Sequence, residues 1–98
     1  MKLFLIHCGY YDEGLFNGAF ESHVNFFLIA DSVEAAKAKA KLNEAFNEKR
    51  MHIDGIQEIS MVDGYEIALK KSIEDHEKSV VTSHLYRGLA PKKAAPSE

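Results

Sequence analysis

The run Leu3-Phe4-Leu5-Ile6-His7-Cys8 constrains this chain most, because both of its alternating sets are largely apolar. Phe4, Ile6 and Cys8 share one side, and Leu3 and Leu5 precede His7 on the other. Successive side chains of a strand point to opposite faces. A strand apolar on both faces needs cover on both, which suits a position inside a sheet. Gly9 ends the run, and Tyr10 to Asn17, with Asp12, Gly14 and Asn17, reads as a loop.

A second strand is expected from about Glu21 to Ala30, with Val24, Phe26, Leu28 and Ala30 on one face and His23, Asn25, Phe27 and Ile29 on the other. Asp31-Ser32-Val33-Glu34 is a helix start in which either Asp31 or Ser32 can cap, and Asp31 with Glu34 has capping-box spacing. The helix is expected to run to about Asn47, burying Ala35, Ala38, Leu42, Ala45 and Phe46. Lys37, Lys39 and Lys41, interspersed with Glu34, Glu44 and Glu48, form a solvated face. Met51 to Val62 reads as a third strand with Met51, Ile53, Ile59 and Met61 in one alternating set, and Gly55 suggests a bulge. Asp63-Gly64 is a two-residue hairpin turn leading into a fourth strand with Tyr65, Ile67 and Leu69.

These elements predict an α+β fold, β-β-α-β-β, with one helix packed on one face of a mainly antiparallel four-stranded sheet. A helical crossover makes strands two and three parallel, and the apolar first strand fits between them, giving the order 2-1-3-4. Val80, Val81, Thr82, Leu85 and Tyr86 offer a fifth, C-terminal strand. The compact domain is expected over residues 1–71, an extension over 72–87, and a disordered tail of Ala, Pro, Lys and Ser over 88–98.

A domain of 98 residues buries only about 60–65% of the surface its unfolded chain exposes. Assembly would therefore help it, and the second apolar face carrying Phe27 and Ile29 is surface for a partner to cover. Twelve Lys and Arg against fifteen Asp and Glu give a formal charge of −3, which argues against a nucleic-acid partner. No apolar stretch is long enough for a membrane span. The opening apolar run breaks at His7, too early for a signal peptide, so a cytoplasmic location is expected.

Three segments carry a family resemblance. They are Met1-Lys2-Leu3-Phe4-Leu5-Ile6 with Gly9, then Glu21-Ser22-His23-Val24 through Phe27 to Asp31-Ser32-Val33-Glu34-Ala35-Ala36, and His52-Ile53-Asp54 followed by Val62-Asp63-Gly64-Tyr65. In order and spacing the chain resembles a small bacterial family labelled domain of unknown function 1543, over about the first seventy residues. The resemblance implies a small α/β domain, found singly or in tandem. It supplies no activity, cofactor or catalytic residue, and the loop from Tyr10 to Ala19 departs from the family's usual connection.

Five histidines in so short a chain invite a ligand hypothesis. His52 and Asp54, two residues apart, share one strand face, and His7 and His23 lie on strands placed nearby. Such donors suit a divalent transition ion, but the spacing matches no established metal motif. Hydrogen bonding is the commoner role, so no metal or cofactor is assigned. Cys8 faces away from His7 and reads as a buried structural thiol. Tyr10 and Tyr11, with Phe16 and Phe20, cluster about the loop and could grip a ligand or fold over the sheet end. The leading expectation is a non-enzymatic interaction module that forms a homodimer. The alternative is a small-molecule or metal-binding protein, or a small enzyme, using His7, His23, His52 and Asp54 near Tyr10 and Tyr11.

Overall fold

A computed structural model describes residues 1–74 and 79–86. Strand β1 (Lys2–Tyr11) lies between β2 (Glu21–Ala30) and β3 (His52–Ile59) and is antiparallel to both, so β2 and β3 run parallel. The doubly apolar strand is thus central, and the order 2-1-3 follows the expected placement. Phe4, Ile6 and Cys8 are fully buried with Ala30, Ala36, Ala40 and Phe46, and Val24, Phe26, Leu28 and Ile53 pack against them.

The single expected helix is two. Helix α1 (Val33–Ala40) is capped by Ser32, whose Oγ accepts from the Ala35 N–H at 3.1 Å. Helix α2 (Glu44–Glu48) restarts at Asn43, whose side-chain oxygen accepts from the Phe46 N–H at 3.2 Å. Asn offers its own acceptor to the backbone and so competes with a continuing helix. The break changes the helical phase. Phe46 is buried as expected and Ala35 packs against the core, but Ala36 and Ala40 are buried in place of Ala38, Leu42 and Ala45, and Leu42 is left 82% exposed.

The bulge suggested by Gly55 is present in β3, one residue earlier. His7 pairs with Gly55 but Cys8 pairs with Ile53, so Asp54 is the extra residue of a bulge. A bulge resets the alternation. Beyond it Ile56, opposite Ile6, packs against the core, while Ile59 pairs with Leu3 and shares that residue's open face.

The Asp63-Gly64 turn forms, with φ of +53° and +83°, the left-handed values a type I′ turn needs. It does not add a fourth strand to the sheet. Strand β4 (Met61–Val62) pairs only with β5 (Tyr65–Glu66), as a separate two-stranded unit. The pairing of β3 with β1 ends at Leu3 and Ile59, so the hairpin extends past the sheet. Ile67 donates to the Ser60 carbonyl at 2.9 Å, and no further ladder forms. Residues 79–85 form no strand. The expected tail over 88–98 lies outside the described residues. Among the described residues no helix is long and apolar enough to cross a membrane.

Candidate functional site

The helices cover one face of the sheet, and the other face carries His7, Gly9 and Tyr11 of β1 between Glu21 and His23 of β2 and His52 and Asp54 of β3. Register brings them together: Gly9 stands opposite both His23 and His52, and Tyr11 opposite Glu21. Because Asp54 is the bulged residue, its carboxylate is turned toward β1 and β2. Asp54 Oδ1 lies 3.1 Å from His52 Nε2, while Oδ2 lies 3.4 Å from His23 Nδ1 and 3.9 Å from His7 Nε2. Glu21 Oε1 lies 3.2 Å from His23 Nε2 and 3.5 Å from His52 Nε2. The His7 and His23 rings stack at 4.9 Å.

Gly9 is what lets five side chains meet over a central strand. A Cβ at this position would collide with the Glu21 carboxylate, and would lie 2.7 Å from His52 Nε2 and 2.9 Å from Asp54 Oδ2. Its missing side chain is the floor of the site.

Surrounding groups hold the donors in place. His7 Nδ1 donates to the Asn25 side-chain oxygen at 2.7 Å, which turns Nε2 toward Asp54. The Tyr11 hydroxyl donates to Glu21, and this bond above all, with His23 and His52 adding to it, holds the Glu21 carboxyl below the usual carboxylate range. The same bond to Glu21 pushes the Tyr11 phenol up. On the opposite face, burial pushes the Cys8 thiol up, with the Asp54 charge adding to it.

Residues 18–69 match the family described as Domain of Unknown Function (DUF1543). The chain belongs to this family. No curated protein and no solved structure matches it. In this DUF1543 chain Glu21, His23, His52 and Asp54 lie inside the matched span, while His7 and Gly9 precede it.

Of the six residues singled out in the sequence, the structure joins His7, His23, His52 and Asp54 and brings Tyr11 to their edge, 6.3 Å from the His52 ring. It separates Tyr10, which lies on the other side of β1 with Lys49 Nζ 5.1 Å from its ring. Tyr10 and Tyr11 line an open cleft of about 590 Å³ with Asp12, Glu13, Glu48, Lys49 and Arg50, and of the site residues only Tyr11 borders it. Sequence reasoning missed Glu21 and Gly9. Glu21 shares its alternating set with His23, a visible signal; the role of Gly9 depends on cross-strand register and has none.

Proposed function

We propose that this domain binds a divalent transition-metal ion on the open face of its sheet and serves as a binding module. The observation that carries the reading is the meeting of three imidazoles and two carboxylates, from three strands, over the side-chain-free Gly9. Their separations of 3.1 to 3.9 Å exceed the roughly 2.7–2.9 Å of a charge-assisted hydrogen bond. They bracket the donor spacing of about 3.3 Å that metal–ligand bonds of 2.0–2.1 Å impose in a tetrahedral site. The His7–Asn25 bond supports the same reading, since metal-binding imidazoles usually donate their second N–H to a fixed acceptor. Nitrogen and carboxylate donors together suit zinc and its neighbours rather than calcium or magnesium. The absence of a spaced motif in the sequence is no obstacle, because the donors are gathered by strand register.

Zinc titration of the purified chain, followed by thermal unfolding, tests this. At a hundredfold excess over Kd a bound ion adds about 2.7 kcal/mol, a rise in Tm of about 10–20 °C for a domain this small. Gly9→Ala, which keeps every donor but fills the floor of the site, should remain folded and lose the shift. An unchanged Tm for the unaltered chain at excess metal overturns the reading.

A second copy of the chain is the partner we propose for the rest of the open face. Beyond the histidines that face turns apolar, with Leu3, Leu5 and Ile29 partly buried and Phe27 half exposed. Val62, Tyr65, Val80, Leu85 and Tyr86 add further exposed apolar surface. Light scattering should report a dimer that Phe27→Asp converts to a monomer, and a strict monomer over a wide concentration range removes the reading. A lone unpaired Cys8 suits a reducing, cytoplasmic setting.

A further inference from the structure

Building on the metal-binding reading, we infer that the site holds two ions bridged by the Asp54 carboxylate. The donors divide into two triads that share only this residue: His7, His23 and Asp54, and Glu21, His52 and Asp54. The division follows the two carboxylate oxygens. Oδ2 faces His7 and His23, at 3.9 and 3.4 Å, and Oδ1 faces His52 at 3.1 Å. Bridging by one carboxylate sets two ions at the roughly 3.5–4 Å spacing of two-metal sites.

The hydrogen bonding around the triads assigns each imidazole nitrogen a separate task. His7 donates from Nδ1 to Asn25 and presents Nε2 to the first ion. His23 presents Nδ1 to that ion, and its Nε2 lies 3.2 Å from Oε1 of Glu21, the carboxylate that serves the second. His52 Nε2 and Glu21 complete the second triad, with Tyr11 holding Glu21 from the outer side. The bulge is what turns Asp54 between the two groups, since in an unbulged β3 Asp54 would stand opposite Cys8, on the core face.

Each ion then has three protein donors, one fewer than a closed tetrahedral site, and the open positions face solvent. The three imidazoles are between 43% and 47% exposed. Two divalent ions against two carboxylates leave a net positive centre, so the open positions take water or an anionic oxygen ligand.

Calorimetric titration of the full chain with zinc, and electron paramagnetic resonance with Mn²⁺, test the inference together. The unaltered chain should bind two equivalents of zinc, and two equivalents of Mn²⁺ should give an exchange-coupled spectrum. His7→Ala and His52→Ala should each retain one equivalent, with circular dichroism confirming that both stay folded. One equivalent in the unaltered chain overturns the two-ion arrangement and leaves metal binding standing. Uncoupled Mn²⁺ signals, or loss of all binding in His52→Ala, also overturn it. No binding at all removes both readings.

Discussion

On one side of β1, Phe4, Ile6 and Cys8 are fully buried with Ala36, Ala40 and Phe46. On the other, one residue along in each case, Leu3 and Leu5 are only partly covered and His7, Gly9 and Tyr11 form the base of a polar site. The same ten-residue strand therefore carries the core on one face and the candidate chemistry on the other. Folding free energy in a small domain comes mainly from apolar surface taken out of water, and here that surface lies under the helices. The open face is relieved of that task. Its side chains can hold charged and titratable groups at partial exposure, where desolvation costs little.

The contrast can be broken by mutation along β1 itself. Phe4→Ala should cost about 3–5 kcal/mol, enough to unfold much of the population, whereas His7→Ala should stay within about 0.5 kcal/mol; urea denaturation measures both. Comparable losses at the two positions would show that the open face also carries the fold. A smaller effect concerns Cys8. Fully buried and with its thiol pushed up by burial, it should react slowly with a thiol reagent in the native protein at neutral pH and rapidly in urea. The smallest effect belongs to Tyr11→Phe. Removing the phenol hydroxyl should let the Glu21 carboxyl titrate closer to its ordinary range, as read by carboxyl carbon NMR. The sign is fixed by the direction of the shift. A carboxyl held low in the folded state contributes stability above its unfolded pKa, and that contribution disappears as pH falls through the folded value. Glu21 is surface-placed, so the titration rather than a stability curve is the sensitive readout.

Much of the frame was legible because alternation is a local, two-residue period. It identified Phe4, Ile6 and Cys8 as one set, Val24 to Ala30 as its neighbour, and His52 with Asp54 as a pair on one face. The Asp63-Gly64 turn was equally local, since left-handed φ at both residues is a property of the dipeptide. Three features were not legible. Asn43 divides the helix although its neighbours suit a helix, because its side-chain acceptor satisfies the Phe46 N–H of a new start. Ile56 replaces Ile59 against the core because the bulge shifts the parity of β3. The hairpin stands apart from the sheet because β1 and β3 stop pairing before it begins.

For the site the division is sharper. The donor types, the open-face set on β2 and the His52–Asp54 pairing belong to the linear order of residues. That Glu21 meets the histidines of the other strands and that Gly9 leaves them room were decided by how β2 and β3 align on β1, and Tyr10 is excluded because β1 keeps its alternation through to Tyr11. A strand's own period says which face a side chain takes, but not which residue stands opposite. Cross-strand register is set by core packing on the far face and by the bulge at Asp54, and only the assembled sheet contains it.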